Sequence, residues 1–234
     1  ELKGIKTYWS WLEILLRWHD TNDDGTIGSS EKLLYAIGDS HALSYHNIKF
    51  KSSSGHFLGK CEWIQGCKQW DLGQPGINKF KYKFERIIDS LPPGSLILLS
   101  IGELDCRIDT GIIPHCKKYP EKKKKQVITD TVNNYLEYIF KKSSPYLHKV
   151  IVQGIPCPNI HKGRYREQEI IELVDLVQNF NKELKTKSMS YGFGFLDLGQ
   201  ITTDGKGFSN GIWHADEWHI LPSGILEAWR QSYS

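Results

Sequence analysis

"LLYAIGDSHALSY", residues 33–45, decides how the rest of the chain is read. An apolar run ends at Gly38, and Gly38-Asp39-Ser40-His41 turns the chain into a second, semi-apolar run. A short apolar run without polar alternation has the pattern of a strand covered on both faces, as in a parallel sheet. Ser40 then stands just past the carboxyl end of that strand. A serine in such a place has two readings, a nucleophile or the N-cap of the following helix.

Counting "KLLYAIG" (32–38), five runs of this kind occur, each followed by turn residues. The others are "KCEWI" (60–64), "SLILLSIG" (95–102), "KVIVQGIP" (149–156) and "FGFLDL" (193–198). They predict a central parallel sheet of five strands. Helical periodicity fills the gaps. It marks Ile170, Leu173, Val174, Val177 and Leu184, and again Val132, Tyr135, Leu136 and Ile139 in a helix over 123–142. "NKFKYKFERIIDSL", "SGILEAWRQSYS" and the opening "YWSWLEILLRWH" read as three more helices. Alternating strands and helices make a doubly wound α/β pattern, in which ligands bind beyond the carboxyl ends of the strands. Gly38-Asp39-Ser40 and Gly102-Glu103 both fall there.

The 234 residues suit one domain, 1–234, with 1–31 an N-terminal helix and acidic turn leading into the first strand. A net charge of +3 supplies no field for nucleic acid. The basic cluster Lys117, Lys118 and Lys122 to Lys125 reads as a solvated loop before a helix. No apolar stretch approaches the roughly 18 residues needed to span a bilayer, and no signal-peptide pattern opens the chain, which slightly favours the cytoplasm. The chain begins at Glu1 rather than Met, which leaves room for a removed leader or an upstream domain. Cys61, Cys67, Cys106, Cys116 and Cys157 are odd in number and irregular in spacing, against a disulfide scaffold or a zinc site. A Cys61–Cys67 or Cys106–Cys116 bridge is the alternative in an exported protein.

"DTNDDGTIGSSE" (20–31) matches a calcium loop, with Asp20, Asn22, Asp24 and Glu31 at ligand positions and Gly25 at the sharp turn. The context opposes it, because Glu31 runs straight into a strand instead of a second helix. An acidic turn is the competing reading.

Acyl transfer by serine needs a base, an orienting carboxylate and oxyanion donors besides the nucleophile. "DEWHILPSG" (216–224) supplies Asp216 and His219, three residues apart before the last helix. Together, "GDSH", the late Asp-x-x-His and "ILPSG" resemble the SGNH (GDSL-type) hydrolase superfamily over nearly the whole chain. The resemblance implies a three-layer α/β/α flavodoxin-like sandwich and a serine esterase site without a cofactor. It puts the nucleophile at Ser40, the base at His219 and the carboxylate at Asp216. An oxyanion donor maps onto the Gly66 backbone in "WIQGCKQW", with Gly73 as the alternative. The family's Gly-x-Asn-Asp block is "GELD" here, so Leu104 stands where a donor asparagine is expected. "GELDCR" resembles a variant subgroup, some of whose chains carry helical repeats upstream. Losing one such donor costs about 100- to 1000-fold in turnover. Arg107 is a candidate substitute, and Glu103, Arg107 and His41 are candidate substrate contacts, with His41 otherwise a core or rim histidine. Glu103, Asp105 and Arg107 read alternatively as an ion pair beneath the site. His214 is a competing ring for the base, and Trp213 and Trp218 a candidate sugar platform. The implied substrate is a small-molecule or glycan ester, with neither nucleic acid nor membrane as partner. A working esterase, an acyltransferase and a non-catalytic carbohydrate- or partner-binding domain all remain open.

Overall fold

Lys32–Gly38 forms strand β1, whose last five residues are buried. It is the third of six strands in the computed structural model, which describes residues 2–22, 32–53, 55–160 and 163–233. β1 pairs in parallel with β3 (Gly55–Trp63) on one side and β4 (Leu96–Ser100) on the other. The sheet continues in parallel through β5 (Lys149–Gln153) to β6 (Gly194–Leu196). β2 (Lys49–Ser52) runs antiparallel to β3 at the far edge, giving the order β2-β3-β1-β4-β5-β6.

Among the described residues the sheet therefore has six strands, where the apolar runs predict five. The additional strand alternates, with Phe50 fully buried between two lysines. Alternation of that kind marks a strand with one face to solvent, and a search for unbroken apolar runs passes over it.

The helices are α1 (Leu2–Asn22), α2 (Gln69–Gly73), α3 (Lys79–Ser90), α4 (Ile112–Lys118), α5 (Lys124–Ser143), α6 (Glu167–Ser190), α7 (Leu198–Thr202) and α8 (Pro222–Tyr233). Successive side chains of β1 feed opposite layers, as strand geometry requires. Tyr35 and Ile37 join Phe84 of α3, Leu136 of α5 and Phe180 of α6 in one core. Leu34 and Ala36 join Phe50 of β2 and Ile225 and Trp229 of α8 in the other. The result is a three-layer α/β/α sandwich.

The five parallel strands follow the doubly wound order whose switch point lies beside the first strand, here between β1 and β4. The ends of β1 and β4 approach closely there. A Cβ on Gly38 would lie 2.1 Å from the carbonyl oxygen of Ser100, so no other residue fits.

All five cysteines are free, and neither alternative bridge forms. Of the calcium-loop candidates, Asp20 and Asn22 belong to the last turn of α1, and the Asn22 amide donates to the Trp18 carbonyl. Asp24 and Glu31 lie outside the described residues. Among the described residues no helix is long and apolar enough to cross a membrane.

Candidate active site

Ser40 follows β1 directly and opens a short 3-10 turn over Ser40–Tyr45. The residue that caps this turn is Asp39, whose carboxylate accepts from the His41 backbone N–H at 2.9 Å. Ser40 is thereby released from the capping role that its position suggests. Its Oγ instead lies 2.9 Å from Nε2 of His219.

His219 is held by a tight hairpin turn before α8. Leu221 N–H donates to the Trp213 carbonyl and Ala215 N–H to the His219 carbonyl, both at 2.8 Å. Inside the turn, Asp216 Oδ1 accepts the backbone N–H groups of Trp218 and His219, each at 2.7 Å. Its Oδ2 lies 2.7 Å from His219 Nδ1. Burial works to raise the Asp216 carboxyl, but these hydrogen bonds and the His219 charge outweigh it and hold the group down at about 2. An ionised carboxylate only accepts, so Nδ1 carries the proton and the Nε2 lone pair faces the Ser40 hydroxyl. From the loop after β5, the Asn159 amide donates to the Asp216 carbonyl at 2.8 Å and steadies the turn. Three residues from the two ends of the sequence motif set are thus joined into one hydrogen-bonded chain.

His214 is not part of that chain. Its Nδ1 lies 2.8 Å from Ser209 Oγ, and burial, with the positive charge of neighbouring histidines, pulls it down to about 4.

The candidate substrate contacts of the sequence reading are differently engaged. His41 is buried, with Nδ1 2.7 Å from Asp39 Oδ1 and Nε2 3.2 Å from the Trp218 carbonyl. With both ring nitrogens bonded inside the protein, it has none to offer a substrate. Burial opposes its charge, yet Asp39 beside it and Glu103 near it push the group up to about 9. It is an imidazolium at neutral pH, with its ring centroid 4.7 Å from that of His219. Burial of His219, together with that charge, holds its own pKa below the ordinary histidine value despite the Asp216 hydrogen bond.

Glu103 receives Arg107 through Nε at 2.8 Å to both carboxylate oxygens and through Nη2 at 2.6 Å. The Arg107 guanidinium also lies 4.4 Å over the Trp218 ring, and Arg164 approaches the same ring at 5.7 Å. Arg107 is therefore held by Glu103 with its guanidinium over the Trp218 ring. Trp213 packs against the α8-side core.

Asp105 departs from the ion pair that the sequence suggested. It is fully buried and accepts the backbone N–H groups of Gln69 at 2.8 Å and Trp70 at 3.1 Å. These are the first N–H groups of α2, which the helix itself cannot satisfy. Asp105 thus fixes the segment that carries Gly66. Gly66 lies in the turn after β3, exposed and at φ +70°, where glycine is favoured. The turn is tied to β1 by Ile64 N–H donating to the Gly38 carbonyl at 2.6 Å. Gly73 packs against α5 instead, where a Cβ would meet Asn134 and Tyr135 at 3.0 Å. Leu104 sits half-buried in the 3-10 turn Glu103–Cys106 after β4.

Sequence reasoning missed Trp11. It is fully buried and stacks on His219, with ring centroids 4.7 Å apart and planes 8° apart. Its spacing with Leu15 and Trp18, one face of a helix, was the signal available.

No family model and no curated protein matches the sequence. Solved structures do. A GDSL-like lipase from Bacteroides thetaiotaomicron superposes with a TM-score of 0.56 at 18% identity, over 93% of this chain and 96% of that one. An extracellular lipase from Streptomyces rimosus gives a TM-score of 0.54 at 14% identity, over 86% and 99%. A carbohydrate acetylesterase from Sinorhizobium meliloti gives 0.53 at 12% identity, over 86% and 96%. The chain has the α/β/α fold of the SGNH (GDSL-type) hydrolases.

Proposed function

We propose that the protein is a serine acyl hydrolase that cleaves a carboxylic ester. The observation that carries this is the chain Ser40 Oγ–His219 Nε2–Asp216, at 2.9 and 2.7 Å. Ser40 Oγ attacks the acyl carbonyl carbon while its proton passes to His219 Nε2. The alcohol leaves with that proton, and an acyl-Ser40 ester remains. His219 then takes a proton from water, which attacks the acyl carbon; the acid is released, and the proton passes from His219 to Ser40 Oγ. Asp216 keeps the proton on Nδ1 and stabilises the imidazolium that forms in each step. The backbone N–H groups of Ser40 and Gly66 serve the oxyanion, and no cofactor takes part.

The acyl group is proposed to be small, an O-acetyl on a glycan or another short ester. The carbohydrate acetylesterase among the similar structures supports that choice of substrate. The test is turnover of p-nitrophenyl acetate together with labelling by a fluorophosphonate. Labelling mapped to Ser40, and activity abolished in Ser40→Ala and His219→Ala, is the expected result. Wild-type protein that neither turns over the ester nor labels at Ser40 overturns it.

Leu104 favours a second reading, a carbohydrate- or partner-binding domain on the same fold, because leucine has no donor for the oxyanion. That reading expects ligand binding that survives Ser40→Ala. An acyltransferase is distinguished by an acyl-enzyme that water does not discharge.

A further inference from the structure

α1 precedes β1, yet it reaches the base of the proposed reaction. Trp11, Leu15 and Trp18 are spaced to share one helix face. Trp18 packs against the core beneath α8, Leu15 is buried, and Trp11 lies flat on His219. Trp9 and Leu16, off that face, are exposed. The indole N–H of Trp11 has no hydrogen-bond partner despite its burial. A buried unpaired donor is unfavourable, so the side chain is explained by its ring face and not by its N–H.

His219 is fixed at two ring atoms, Nδ1 by Asp216 and Nε2 by Ser40. Two hydrogen bonds hold a ring along the line that joins them but resist little tilt about that line. A parallel flat surface resists it directly. We infer that Trp11 is a positioning residue for His219, so that α1 belongs to the active site. The inference rests on the hydrolase reading above.

The charged and titratable groups around His219 are Asp216 and His214 of its own turn, Asp39 and His41 after β1, and Glu103 after β4. From α1 the ring in contact is the uncharged Trp11, which adds to the burial that depresses the His219 pKa. Removing the indole relieves that burial, raises the His219 pKa and moves the acid limb of the rate profile to higher pH.

The experiment compares Trp11→Phe, which keeps a flat ring over His219 and drops the N–H, with Trp11→Leu, which has no flat face and covers less of the His219 ring. Trp11→Met repeats the aliphatic arm with a more adaptable side chain. With p-nitrophenyl acetate, Trp11→Phe is expected within about twofold of wild-type kcat, and Trp11→Leu about tenfold lower at unchanged KM, the scale of a misaligned reacting group. The acid limb rises in the aliphatic variants alone, and their Ser40 labels more slowly with fluorophosphonate. Equal kcat and equal labelling rates in Trp11→Phe and Trp11→Leu overturn the inference alone. So does a loss confined to KM or one that follows thermal stability. Absence of Ser40 labelling in the wild type overturns the hydrolase reading, and this inference with it.

Discussion

His41 Nε2 stands 3.2 Å from the carbonyl oxygen of Trp218, the residue before His219. Its other nitrogen is bonded to Asp39, the residue before Ser40. One imidazolium therefore ties the strand that carries Ser40 to the turn that carries His219. It also places a positive charge beside a ring that becomes positive in the proposed reaction.

Replacing His41 by Asn removes that charge. The His219 pKa rises toward its ordinary value, so a higher pH is needed to free the base. The acid limb of kcat against pH moves upward by about one unit, the lower end of the effect of a single nearby charge. Stability follows a separate sign. His41 has a raised folded pKa, about 9 against an ordinary 6.5. Its stabilisation is complete below the ordinary value and fades as pH rises through the folded one. The melting-temperature gap between wild type and His41→Asn is expected to be widest near pH 6 and to narrow above pH 9.

Asp216→Asn tests the tautomer. An amide can donate to Nδ1 and so turn the Nε2 proton toward Ser40. Such a reversal lowers kcat about ten-thousandfold in serine triads. Steady-state turnover at saturating ester measures it, and circular dichroism should show an unchanged fold.

Asp105→Asn separates capping from charge. Burial pushes the Asp105 carboxyl up to about 7, against the pull of the Trp70 and Gln69 N–H groups. A carboxyl with a raised folded pKa stabilises the fold at low pH and loses that contribution as pH climbs from the unfolded value through the folded one. Thermal melts of the wild type between pH 4 and 7 should carry this decline, and Asp105→Asn should flatten it. The variant is also expected to lose about 1–3 kcal/mol in denaturant titration, because one backbone N–H of α2 goes unpaired.

Gly38→Ala probes the switch point. The added methyl overlaps the Ser100 carbonyl, and forcing the strand ends apart costs about 1–3 kcal/mol or more. Urea unfolding measures that cost. Activity should fall as well, because Ser40 moves with the strand end.

The parts that the sequence made legible are those whose signal is local. Unbroken apolar runs mark β1, β4 and β5 because both of their faces are covered. Asp216 and His219 lie in one turn, so their spacing survives in the chain itself. β2 was hidden because Phe50 alone faces inward. Asp105 was misassigned because its partners, the N–H groups of α2, lie 36 and 35 residues away and carry no side-chain label. His41 reads from the sequence as either a core histidine or a substrate contact, because a polar ring beside Ser40 is ambiguous until both ring nitrogens are accounted for. Trp11 was invisible as a site residue, since an aromatic on an amphipathic helix reads as ordinary packing.

Ser40 and His219 are 179 residues apart in the chain, and Trp11 lies further back still. Contacts of such separation form late and slowly in folding. On the proposed hydrolase reading, the Ser40–His219 pair therefore forms only once the last hairpin turn has docked, and synthesis must pass that turn before an ester can be attacked. Reactivity at Ser40 becomes a readout of completed folding, reporting in one covalent event that the first helix, the central sheet and the final turn have all found one another.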